Sequence, residues 1–206
     1  RDLGRSVIAG TAAGGKVFFQ QQAGVVDVSV AALEGLRPAE TINGPGLAGQ
    51  NLSPAWSPDG RSLAWVAIES FVRADKWSRR LVVSGDPGTA ARVVAPALAF
   101  FNGPAWSPDA QSVLVAGSDL RGRWGLHRIK IPSGATEPIV VSPPGNETMF
   151  QAWEWSRDGR EVLYATSSAV IAHDAASGRE RVLLDASAAA LAPHAASFGR
   201  GAGSER

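Results

Sequence analysis

The chain has no cysteine, one tyrosine, one methionine and only three lysines, Lys16, Lys76 and Lys130. The absence of cysteine excludes disulfides, cysteine-ligated metal sites and thiol nucleophiles. No apolar run approaches the ~20 residues that span a bilayer as a helix, so insertion into a membrane is not expected. An excess of one charge sign is also missing: 20 Lys and Arg stand against 19 Asp and Glu, a formal net charge of +1. That balance argues against nucleic acid or an anionic lipid surface as the main partner. The first residue is Arg1 rather than Met. This is the pattern of a processed chain or of part of a larger one.

What is present is apolar and repetitive. Hydrophobic residues make up 45% of the 206 positions, enough for a packed core. Seven of the aromatic residues are Trp. Three segments read alike: Pro54-Ala-Trp-Ser-Pro-Asp-Gly-Arg-Ser-Leu-Ala-Trp65, Pro104-Ala-Trp-Ser-Pro-Asp-Ala-Gln-Ser-Val-Leu-Val115 and Ala152-Trp-Glu-Trp-Ser-Arg-Asp-Gly-Arg-Glu-Val-Leu-Tyr164. Trp56, Trp106 and Trp155 recur, as do Asp59, Asp109 and Asp158, with Gly60 and Gly159 at two of the turns. A weaker copy, Gly14-Gly-Lys-Val-Phe-Phe-Gln20, precedes them and lacks the Trp.

A period near 50 residues is the length of a four-stranded propeller blade. Short alternating apolar stretches between Gly, Pro, Ser and Asp clusters fill each period. The expectation is an all-β chain of about four blades, each of four antiparallel strands. The repeats fall at approximately 5–47, 48–98, 99–146 and 147–190, followed by a degenerate strand and polar tail over 191–206. First-to-second-strand hairpins centre near Gly15, Gly60, Ala110 and Gly159. Asp-Gly suits a two-residue hairpin turn because it tolerates positive φ, and Pro58 and Pro108 set φ just before it. Each Trp supplies a flat surface for the layer between blades, which places Trp56, Trp106 and Trp155 in equivalent buried positions. Ala186 to Ala196 shows at most a turn of helix.

The Pro-Ala-Trp-Ser-Pro-Asp-Gly-Arg motif followed by an apolar strand resembles the TolB-like propeller repeat over roughly residues 10 to 185. Similar repeats occur in the propellers of prolyl-oligopeptidase-type peptidases. The resemblance implies a six-bladed type of ring, of which this chain would form an open arc that self-associates or needs further blades; the alternative is that the tail pairs with the first repeat and closes a four-bladed ring. Departures are Ala110 for the turn Gly, Arg157 for the second Pro, and Thr11 where the first repeat would carry its Trp.

Catalysis has no support in the sequence. No Gly-x-Ser-x-Gly elbow is present, and His127, His173 and His194 lie in different repeats without metal-like spacing. Neither a metal nor a cofactor is expected. Gly44-Pro-Gly-Leu-Ala-Gly49 matches a dinucleotide fingerprint but leads into a strand rather than the helix that phosphate binding requires. The recurring Asp residues read as turn chemistry. One constellation points elsewhere. The loop between second and third strands joins cations to a Trp in two successive repeats: Arg73, Lys76, Trp77, Arg79 and Arg80 in one, Arg121, Arg123 and Trp124 in the next. Either the two Trp pack on neighbouring blades, or the loops form an exposed cationic-aromatic patch for an acidic protein or peptide partner. The expected function is therefore a non-catalytic binding scaffold within a larger bacterial protein or envelope complex, outside the cytoplasm. The alternative is an accessory propeller that gates a serine peptidase lying outside this chain.

Overall fold

In the computed structural model, the described residues are 6–13, 16–22, 26–32, 38, 40–41, 49–69, 78–85, 90–144 and 148–185. Among them every regular element is a strand. Four antiparallel sheets of four strands follow one another in chain order. The first holds β1 (Ser6–Ala13), β2 (Lys16–Gln22), β3 (Val26–Ala32) and β4 (Glu40–Thr41). The second holds β5 (Gly49–Trp56), β6 (Leu63–Glu69), β7 (Ser78–Ser84) and β8 (Arg92–Val94). The third holds β9 (Leu98–Trp106), β10 (Ser112–Asp119), β11 (Trp124–Lys130) and β12 (Thr136–Val141). The fourth holds β13 (Ala152–Trp155), β14 (Glu161–Ala165), β15 (Ala169–Asp174) and β16 (Glu180–Asp185).

Strand alternation gives each inner sheet two apolar faces. On β6, Leu63, Trp65 and Ala67 join Val28 of the first sheet in one core cluster. Ala64, Val66 and Ile68 point the other way and meet Phe101, Trp106, Val113 and Val115 of the third sheet. On β10, Leu114 and Ala116 turn to Trp155, Val162 and Tyr164 of the fourth. The period of two thus splits one strand between two cores. A sheet buried on both faces needs a neighbour on each side.

The repeated motif forms its hairpin by local chemistry, and the loop is longer than the two residues expected from Asp-Gly. Gly60 N–H donates to Ser57 O at 2.9 Å, closing a β-turn with Pro58 and Asp59 at its centre. That occupies the Ser57 carbonyl, so the N–H of Ser62 turns to the Ser57 hydroxyl instead, at 2.8 Å. Ser57 N–H still reaches Ser62 O at 2.8 Å, which leaves four residues, 58–61, in the loop. Gly60 sits at φ +69°, where it carries no steric penalty. Ala110 takes the same left-handed conformation at φ +56°. Arg157 replaces the proline in the fourth sheet without altering the pattern, since Gly159 N–H still reaches Ser156 O at 2.9 Å.

The first strands of the second and third sheets extend well beyond the motif, because the motif is only their last few residues. Both are interrupted at equivalent places. Ser53 and Gly103 have φ +54° and +47°, and the register slips between Leu52 and Ala55 and again opposite Leu114 and Ala116. Such bulges release backbone groups from the ladder.

Candidate functional site

The recurring carboxylates are consumed by the turns. Asp59 accepts the Ser57 hydroxyl at 2.5 Å and the Arg61 N–H at 3.1 Å. Asp109 does the same with Ser107 and Gln111, at 2.6 and 3.0 Å, and Asp158 with Ser156 and Arg160, at 2.7 and 3.1 Å. In all three the serine hydroxyl is the largest influence holding the carboxyl below its ordinary value. Among the described residues no group of three His, Asp or Glu is placed to hold a metal ion.

The motif Trp residues lie between sheets. Trp106 and Trp155 are buried, at 8% and 7% exposure, and Trp56 is half-buried against the first core cluster. The Trp106 indole N–H donates across the interface to Ala55 O at 2.9 Å. The corresponding bond in the next interface comes from a residue that sequence reasoning passed over. Trp153 donates to Gly103 O at 3.0 Å, and its ring occupies the space where a side chain at position 103 would begin, 3.0 Å from an ideal Cβ. The signal was present in the doubled Trp of Trp153-Glu-Trp155, but only a partner 50 residues away gives it meaning. Between the first and second sheets the link is Asn51. Its amide donates to Asp27 Oδ1 at 3.1 Å, and its carbonyl accepts the fully buried Trp65 indole N–H at 3.0 Å.

The cation-aromatic residues are distributed as follows. Arg73, Lys76 and Trp77 lie outside the described residues, as do Gly15, Gly44 to Leu47 and Ala186 onward. Arg79 is turned into the seam between the second and third sheets. It donates to Phe101 O at 3.0 Å and to Asn102 Oδ1, and its guanidinium lies 3.9 Å from the Phe100 ring centre. Burial lowers its pKa from the usual arginine value, while the ring face and two oxygens meet the charge. Phe100 in turn packs on Trp124, centroids 5.8 Å apart, and the Trp124 indole donates to Thr148 O at 2.8 Å. Arg79, Phe100 and Trp124 therefore form a continuous stack leading from the second sheet through the third to the approach to the fourth.

Arg80, Arg121 and Arg123 are exposed. Arg121 and Arg123 belong to the β10–β11 hairpin, whose tip is organised by Asp119. That carboxylate accepts the N–H groups of Arg121 and Arg123, both at 2.9 Å, and pairs with the Arg123 guanidinium at 2.8 Å. These bonds, the Arg123 N–H foremost, hold its pKa low.

Four-stranded antiparallel sheets packed face to face in series, the last three each opened by a Trp-Ser-Pro-Asp-Gly type hairpin, define a β-propeller with TolB-like repeats. The chain belongs to the lipoprotein LpqB β-propeller domain family, whose model matches residues 31–176. It is 27% identical over 134 residues to the "Uncharacterized peptidase YuxL" of Bacillus subtilis, covering 65% of this chain and 18% of that protein. Its fold is similar to that of a putative TolB from Agrobacterium tumefaciens, with TM-score 0.62 and 17% identity over 84% of this chain and 62% of that one. It is also similar to the β-propeller domain of the Trilobed protease from Pyrococcus furiosus, described as having an open velcro topology. There the TM-score is 0.59 and the identity 10%, over 88% of this chain and 58% of that one. The chain thus spans about a fifth of the peptidase relative and less than two thirds of either solved chain.

Proposed function

We propose that this domain is a non-catalytic binding scaffold, serving a protein or peptide partner within a larger bacterial envelope protein. The observation that carries the reading is the fate of the recurring polar side chains. Among the described residues, each motif Ser and Asp is spent on its own hairpin. What remains chemically distinctive is the exposed rim at Asp119–Arg123, where the Leu120 side chain is exposed and the Arg121 guanidinium has no ion pair among the described residues. A rigid frame with variable loops is the usual arrangement for recognition. The lipoprotein description of the family favours the envelope.

A second reading, an accessory propeller gating a serine peptidase, is favoured by the peptidase relative. Deletion of this domain from its parent protein separates the two. A scaffold loses a co-purifying partner; a gate leaves cleavage of short peptides intact and loses discrimination against long ones. Retention of every partner by the deleted protein would refute the scaffold.

The outer strand β16 adds an expectation about assembly. Val182, Leu183 and Leu184 are all substantially exposed, so the strand is apolar toward both sides. Exposed apolar edges associate. The isolated chain should therefore self-associate or need further blades, and light scattering showing a monomer at high concentration would overturn the open-arc arrangement.

A further inference from the structure

Beside the Arg121 hairpin lies a cleft of about 210 Å³, bounded by Leu98, Leu120, Arg121, Arg123, His127 and Pro138. Two irregularities shape it. Pro138 has no N–H to give the ladder, and the β11–β12 register slips between Leu126 and His127. On the opposite strand the register slips again between Ser118 and Asp119.

His127 is 2% exposed. Its Nε2 is buried and has no hydrogen-bond partner among the described residues. Burial is the chief influence and pushes the imidazole pKa down, while a hydrogen bond with the Gly117 backbone opposes it. A neutral imidazole whose proton sits on its other nitrogen presents Nε2 as an acceptor. A buried acceptor without a donor carries a desolvation cost that a ligand's O–H or N–H would relieve. Ala97, Leu98, Leu120 and Pro138 give the cleft its apolar wall, Thr136 and the Arg123-paired carboxylate of Asp119 its polar one, and at the mouth Arg121 is exposed with no ion pair among the described residues. Arg123 is held by Asp119, so the free charge at the entrance is that of Arg121.

The volume narrows the class of occupant. Small-molecule and cofactor sites usually occupy about 300–1,000 Å³, whereas this cleft suits one large side chain. An apolar body, a donor at its tip and a negative charge near its stem describe a tyrosine flanked by acidic residues. The geometry points to this cleft as a docking pocket for a tyrosine of an acidic peptide segment, its hydroxyl donated to His127 Nε2 and a neighbouring carboxylate paired with Arg121. The proposal rests on the binding-scaffold reading and specifies the partner's chemistry.

The test uses a fluorescein-labelled Glu-Glu-Tyr-Glu-Glu peptide and fluorescence anisotropy on the purified chain. Saturable binding is expected, weakened about tenfold when the tyrosine becomes phenylalanine, the size expected for one hydrogen bond to a buried acceptor. Substituting lysines for the glutamates, or Arg121→Glu in the protein, should abolish it. His127→Phe should erase the difference between the tyrosine and phenylalanine peptides. With only three His in the chain, nitrogen-15 NMR of the imidazoles gives a second readout in the unaltered protein: the His127 Nε2 resonance should shift with the tyrosine peptide and not with the phenylalanine one. Should His127→Phe fail to fold, the paired peptides, Arg121→Glu and the NMR shift still decide. No binding, equal binding of both peptides, or an unmoved His127 resonance would overturn the proposal. If the parent protein still loses a partner on deletion of the domain, the pocket is wrong and the scaffold stands; if it loses none, the scaffold itself fails.

Discussion

Asn51→Leu is the substitution whose cost follows most directly from the bonds between sheets. Asn51 is 6% exposed and holds two groups at once: the indole N–H of Trp65, itself fully buried, and the carboxylate of Asp27 on the preceding sheet. Leucine has a similar volume, so the cavity contribution is small. The fully buried Trp65 donor loses the acceptor it has among the described residues, at a cost of about 1–3 kcal/mol. The Asp27 carboxylate loses a charge-assisted bond worth about 1.5–3 kcal/mol, but it is half-buried and recovers part of this from solvent. The sum is about 2–4 kcal/mol, a large share of the ~5–15 kcal/mol of a typical domain. Urea unfolding followed by far-ultraviolet circular dichroism measures it. A double-mutant cycle with Trp65→Phe isolates the indole bond, because removing both partners leaves neither group unsatisfied. In that cycle the double variant should be more stable than the sum of the single effects allows. A loss below about 0.5 kcal/mol for Asn51→Leu would refute the link between the two sheets, and purely additive effects in the cycle would refute the Trp65–Asn51 bond within the second sheet.

Trp106→Ala and Trp155→Ala should each cost about 3–5 kcal/mol, as for other buried large aromatics, and Trp56→Ala less because it is half-buried; unchanged urea midpoints would disprove the packing role. Gly60→Ala and Ala110→Gly should move stability in opposite directions, by about 1 kcal/mol or less, since both positions have left-handed φ. The open space around Gly60 means that backbone strain alone is measured there. Hydrogen bonds from the serine hydroxyls foremost hold the motif carboxylates below their ordinary pKa in the folded chain. Their contribution is therefore complete above the unfolded-state value and lost as pH falls through the folded one. A series of urea titrations between neutral pH and pH 2 should show that acid loss, and Asp109→Asn should flatten it; an unchanged slope would contradict the assigned hydrogen bonds.

The parts of this molecule that sequence exposes are those whose chemistry is local. Ser57, Asp59, Gly60 and Ser62 complete their bonds within five residues of chain, so the same letters mark the same hairpin wherever they recur. The near-continuous apolar runs of β6 and β10 likewise need no partner to be read as strands buried on both faces. The seams are different. Arg79 looks like a surface cation beside Trp77 until Phe100 to Asn102 are brought under it. Asn51 looks like a loop residue until it stands between Trp65 and Asp27. Gly103 and Trp153 are 50 positions apart, and neither announces the other. His127 falls in the same class. Its apolar setting and unpartnered nitrogen arise from the folded sheet and its bulges, whereas the sequence offers a lone histidine.

The bonds that cross from sheet to sheet have a direction. Asn51 reaches back to Asp27, Trp106 to Ala55 and Trp153 to Gly103: in each, the donor stands on the first strand of the later sheet and the acceptor on the sheet made before it. Arg79 runs forward instead, to Phe101 and Asn102, as does Trp124, to Thr148. A ribosome delivers this chain N-terminus first, so each emerging first strand meets an acceptor already in place. Growth of the array then resembles a templated addition, in which a finished sheet offers the surface and carbonyl on which the next one is laid. A lesion at an early junction, such as Asp27 to Asn51, would accordingly be inherited by every sheet that follows, while one at the Trp153 junction would leave the earlier three standing.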